Sequence, residues 1–214
     1  MSLKKNVLLI PLWGLLILVT SLSAKAAAPE VEKALDTMTT YEAEFTQVVK
    51  EAQGFREEKS SGKVWVQRPG KFNWRYDKGP QKMDIVADGV NLWIYQPALA
   101  QVMVYAMSEI EKDLPISWLA SSQPIANRYN TRKLEDRGDG LTWFDLQNKK
   151  GGTQEVAFIE LALQGDVMKE VVITGSDGKE TRVSFKGAKR NAPMNASQFE
   201  YRPAPNIDII GNPQ

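Results

Sequence analysis

With no histidine and no cysteine, this 214-residue chain has only carboxylates, hydroxyls, amines and aromatic rings with which to do chemistry. Lack of histidine removes the Ser-His-Asp triad, the imidazole base and His-ligated zinc or haem. Lack of cysteine removes disulfides, thiol nucleophiles, iron–sulfur clusters, thiolate zinc sites and any cysteine-borne lipid anchor. Asp136, Asp139 and Asp145 fail the spacing of a twelve-residue calcium loop and read as solvated acids. Gly175-Ser176-Asp177-Gly178-Lys179 lacks phosphate-loop spacing and reads as a hairpin turn, as does Gly138-Asp139-Gly140. The 26 acids form many possible carboxylate pairs, none in a context that marks a glycosidase. No catalytic residue, metal or cofactor is implied.

What remains is an excess of aromatic and aliphatic side chains. Trp65, Phe72, Trp74, Tyr76, Trp93 and Tyr95 fall in segments that read as strands. Each taken singly reads as ordinary core. Taken together they say more, because Leu92-Trp93-Ile94-Tyr95 and Val102-Met103-Val104-Tyr105 are apolar on both faces. A solvated antiparallel sheet alternates apolar with polar, so a second apolar face needs a cover. Two segments could supply it, one near Leu35 and Met38, the other carrying Leu114, Ile116, Trp118 and Leu119. Both are short and proline-punctuated, which suits a movable lid over an apolar ligand site.

The elements that must position these residues follow from periodicity. Val31, Ala34, Leu35 and Met38 fall at helical spacing, and Pro29 with nearby acids fits a helix start, so 29–38 reads as a helix. From Thr40 the period changes to two, with Tyr41, Ala43 and Phe45 on one face of a strand. Residues 51–61 are polar and read as a mobile turn. Strands are expected at 63–67, 71–76, 82–87, 91–96, 101–105, 129–134, 141–147, 155–163, 167–174 and 179–186, with a final pair at 199–202 and 207–210. Glycine-containing turns such as Asp88-Gly89 separate them. Between them, Pro115 and Pro124 break 108–128 into two short helices. About ten antiparallel strands with a few helical turns predict a mainly β single domain: one curved sheet, partly closed, roofed by short helices.

Ahead of this domain, Lys4 and Lys5 precede 16 uncharged residues (7–22), then Ala24-Lys25-Ala26. That is the pattern of a secretory leader cleaved after Ala26, the apolar run being shorter than the ~20 residues that span a bilayer. Domain 27–214 would then carry 24 cations against 26 anions, a net charge of −2. Export to an oxidising periplasm suits a chain without thiols. The whole chain's formal charge of +1 offers no footprint for nucleic acid.

The stretch 62–76, Gly-Lys-Val-Trp-Val-Gln-Arg-Pro-Gly-Lys-Phe-Asn-Trp-Arg-Tyr, closely resembles the signature of the periplasmic outer-membrane lipoprotein carriers, the LolA family. Tyr41-Glu42-Ala43-Glu44-Phe45 is similar to that family's first strand, 88–95 to its hairpin, and 199–210 to its C-terminal end. The resemblance implies an incomplete β-barrel with a helical lid over a cavity for acyl chains. It implies a monomer that takes acylated lipoproteins from an inner-membrane ABC-type transporter and passes them to an outer-membrane receptor. That receptor shares the fold but needs a cysteine, which this chain lacks.

By the same resemblance, Arg68 locks the lid and Phe72 and Trp74 lie beside the cavity mouth; Trp65, Trp93 and Tyr95 are expected at the cavity with them, and Leu35, Met38, Leu114, Ile116, Trp118 and Leu119 as the lid's apolar side. Four residues, Gly211 to Gln214, follow the last strand, so no long C-terminal extension is expected. The rival reading is a periplasmic module that binds or senses another lipid on the same fold.

Overall fold

The computed structural model describes residues 28–214 except 53, 55, 81, 111–116, 122, 150–155 and 157. The leader, with Ala24 and Ala26, and the lid candidates Leu114 and Ile116 therefore lie outside the described residues.

α1 (Pro29–Asp36) is followed by β1 (Thr40–Lys50), β2 (Glu57–Gln67), β3 (Lys71–Lys78), β4 (Met83–Asp88), β5 (Asn91–Gln96) and β6 (Gln101–Ala106). Three single-turn helices come next: α2 (Met107–Ile110), α3 (Ser117–Ala120) and α4 (Ile125–Arg128). The chain then runs through β7 (Tyr129–Lys133), β8 (Thr142–Asn148), β9 (Phe158–Gln164), β10 (Val167–Thr174), β11 (Glu180–Arg190) and β12 (Asp208–Ile210). These twelve strands form one sheet in the order β12-β6-β5-β4-β3-β2-β1-β11-β10-β9-β8-β7. Its ends are not joined, so the sheet is open. Register shifts at Glu42/Glu44, Ser61/Gly62 and Met168/Glu170 mark bulges, which bend and twist the strands that carry them.

Four expectations need correction. The polar stretch before Ser61 is mostly strand: β2 begins at Glu57 and pairs along its whole length with β1, Lys50 opposite Glu57. Its ladder bonds are made by backbone, and the ion pair Lys50–Glu57 (3.3 Å) joins the exposed ends, so polarity alone did not mark a turn. The first helix stops at Asp36, leaving Met38 outside it though buried. No strand forms at 199–202: Phe199 ends a 3-10 turn, Ala196–Phe199, and the residues after it are irregular. Finally, β12 pairs with β6 in parallel, because the chain crosses the outer face before adding itself to that edge.

The sheet separates two kinds of core. On one face Tyr41, Phe45, Val64, Val66, Phe72, Trp74 and Leu92 pack with Leu35, Met38, Trp118, Leu119 and Ile125 from the helical side. The opposite face carries two smaller clusters, one of Val86, Trp93, Val102 and Val104, the other of Trp143, Ala162 and Val172.

Candidate functional site

Helix α3 is one turn long, too short to satisfy its own carbonyls, and its last groups need outside donors. They come from the turn between β2 and β3. Arg68 Nε donates to Leu119 O at 2.8 Å and Nη2 to Trp118 O at 3.2 Å, while the Gly70 N–H donates to Ala120 O at 2.8 Å. Arg68 Nη1 reaches the other way, to Leu35 O at the end of α1. One guanidinium thus ties two lid helices to the β2–β3 turn, and its own backbone N–H donates to Thr39 O at 2.8 Å. A planar five-donor fork suits this task, and a cation at a helix C-terminus is favoured by the dipole. Burial lowers the Arg68 pKa; nearby Asp36 pushes it back up and Arg190 pushes it down.

α1 is also pinned at this C-terminal end by Arg190, whose Nη2 donates to Ala34 O at 2.9 Å and whose Nη1 pairs with Asp166 at 3.1 Å. Asn191 accepts from the Thr39 N–H at 2.8 Å and donates to Thr37 O at 3.0 Å. At the start of α1, the Ala28 N–H donates to Thr131 Oγ1 at 3.1 Å, and that hydroxyl donates to Glu32 at 2.7 Å. Asp36 accepts from the Ile125 N–H at 2.9 Å, joining α1 to α4. Periodicity and motif reading missed Arg190, Asn191 and Thr131. Nothing in their local sequence sets them apart from other strand-end polar residues.

Beneath the lid the floor is aromatic. Phe45 and Trp74 rings are 4.8 Å apart, and Phe185 meets Trp74 edge-on at 6.2 Å. Farther along, the Tyr76 hydroxyl donates to Gln47 Oε1 at 3.0 Å, and burial pushes its pKa up to about 12. Burial also raises Tyr41, whose hydroxyl donates to Met168 O at 2.9 Å. Both phenols stay neutral across the physiological range.

Of the residues expected at the cavity, Phe72 and Trp74 face the lid alongside Leu35, Met38, Trp118 and Leu119. Trp65, Trp93 and Tyr95 do not; alternation turns them to the other face. Trp65 sits opposite Asn73 in the register, with the Arg75 guanidinium 5.1 Å from its ring. Trp93 and Tyr95 stack against Tyr201 at 5.5 and 5.7 Å. The second apolar face is therefore covered by the chain's own C-terminal segment, a cover that sequence reading did not identify. Trp93 Nε1 donates to Asp88 Oδ2 at 2.9 Å. Partial burial pushes the Asp88 pKa up, but hydrogen bonds from Asn91, Trp93 and Val90 outweigh it and hold the carboxyl below its usual range.

Among the described residues no cluster of acids, histidines or cysteines could hold a metal, and no helix is long and apolar enough to cross a membrane. Short helices docked through their backbone carbonyls onto an apolar, aromatic sheet face suit a binding container. Residues 36–202 match the family described as Outer membrane lipoprotein carrier protein LolA. An outer-membrane lipoprotein carrier protein from Xanthomonas campestris pv. campestris strain B100 is 32% identical over 202 residues, 92% of this chain and 96% of that one. One from Methylobacillus flagellatus is 34% identical over 192 residues, covering 88% and 91%. The chain belongs to the LolA family of outer-membrane lipoprotein carrier proteins. A Thermus thermophilus protein of uncharacterised function shares the fold, with a TM-score of 0.53 at 15% identity over 85% of this chain and 94% of that one.

Proposed function

We propose that the protein is a periplasmic carrier that encloses the acyl chains of lipoproteins between the sheet and the lid. Cargo comes from an inner-membrane ABC-type transporter and passes to an outer-membrane receptor, the carrier acting as a monomer by binding rather than catalysis. Residues 1–26 are its export leader, and 27–214 the carrier. The observation that carries the reading is Arg68: one guanidinium bridges both lid helices, α1 and α3, to the β2–β3 turn using only backbone acceptors, which cargo can displace without destroying the fold.

The energetics support the same reading. Each methylene moved from water into an apolar site gains about 0.8 kcal/mol, so an acyl chain in water is costly and a closed chamber removes that cost. Native mass spectrometry of protein isolated from the periplasm tests the proposal. A one-to-one complex with an acylated polypeptide is expected. Free lipid as the sole bound species would favour the lipid-module reading instead.

A further inference from the structure

Buried polar groups without hydrogen bonds are rare in folded proteins, and each needs a cause. One lies in the lid itself. The indole Nε1 of Trp118 makes no hydrogen bond, although the residue is 1% exposed and packed in the cluster that holds Phe72 and Leu35. Its backbone carbonyl, by contrast, accepts from Arg68. Trp74 Nε1 also lacks a well-formed bond, but the Tyr76 hydroxyl lies against it. The closed lid therefore holds a donor on α3 that has been taken from water and given no acceptor, an unfavourable state.

We propose that the Trp118 indole N–H is a ligand-binding group, donating to the carbonyl oxygen at the head of an acyl chain, whether ester or amide. The proposal rests on the carrier reading and deepens it: the chamber recognises the acyl linkage as well as the hydrocarbon. Hydrocarbon alone offers no acceptor. An acyl carbonyl offers one without bringing a charge into an apolar core. The arrangement also sets two opposing terms on one equilibrium. Arg68 is satisfied when the lid is closed and empty, whereas Trp118 is satisfied when cargo is present.

The test is displacement of an apolar fluorophore by three lipopeptides of equal chain length: a glyceryl diester, its diether analogue, and an N-acyl amide. Wild type should bind the carbonyl-bearing lipid about fivefold more tightly than the diether, the effect of one neutral hydrogen bond. Trp118→Phe should abolish the difference. Replacing the indole by its benzothiophene isostere, which removes the N–H and keeps the ring, should do the same without loss of packing. Comparing the diester with the amide shows which carbonyl is read. Equal binding of diester, amide and diether by wild type would overturn the proposal and leave the carrier reading intact. A preference that survives in the isostere would do likewise. If none of the three lipids displaces the probe, it is the carrier reading that fails.

Discussion

Arg68→Leu is expected to load acylated cargo at least as tightly as wild type and to hand it to a receptor at least about a hundredfold less effectively. In the closed structure the guanidinium donates to the carbonyls of Leu35, Trp118 and Leu119. Hydrogen bonds from a charged donor contribute roughly 1.5–3 kcal/mol each, so losing all three removes about 4.5–9 kcal/mol from the closed state. Burying some twelve methylenes of one acyl chain gains about 10 kcal/mol. The latch thus offsets a large part of the cargo's burial energy, and without it the equilibrium moves to the loaded state. Arg68→Lys should fall between, because an ammonium on a flexible stem cannot serve three separate carbonyls. Transfer of labelled lipoprotein from purified carrier to receptor measures the effect, with loading measured in parallel. The cargo-loaded forms, in which these bonds are broken in both proteins, should share one unfolding midpoint, which separates latch from fold. Transfer at the wild-type level would mean that Arg68 only caps helix ends.

The second large effect is on folding. Gly62→Ala should lower the unfolding midpoint by roughly 6–12 °C, the equivalent of about 3 kcal/mol or more in a domain of this size. Gly62 sits at the β2–β3 register shift, on the floor of the chamber. A Cβ there would lie 1.8 Å from Arg75 O, 2.8 Å from its carbonyl carbon and 3.1 Å from the Phe45 ring. The first two are backbone atoms, so no side-chain rotation relieves the clash and the two strands must separate. Since Phe45, Trp74 and Tyr76 stack around this point, the displacement would also reshape the floor under the lid. A midpoint within 2 °C of wild type, read by thermal denaturation, would show that the approach is not as close as the strands require.

Much of this was legible in the residues, and the limits are physical. Helical spacing placed Leu35 on a lid helix, and the family signature singled out Phe72 and Trp74, which pack in the same cluster as Leu35. A period of two cannot say which face of a doubly apolar strand meets the lid. Trp65, Trp93 and Tyr95 were therefore assigned to the chamber although they lie on the opposite side of the sheet. The cover on that side is non-local: Tyr201 and Ile207 reach back across more than a hundred residues to Trp93 and Tyr95, a pairing that no local pattern encodes. Arg68 stood out through the Arg-Pro block and the family it resembles. Arg190 performs a related task on α1 but carries no comparable block, and ended β11 as one cation among many. The polar start of β2 was missed because ladder bonds are made by backbone and tolerate charged side chains at an exposed end.

The central claim is that the space between sheet and lid receives acyl chains, and displacement of a bound apolar fluorophore tests it most directly. The protein should bind the probe saturably; an acylated peptide should compete it off at one site per molecule, and the same peptide without its acyl chains should leave it bound. Equal competition by both peptides, or by neither, would contradict the account.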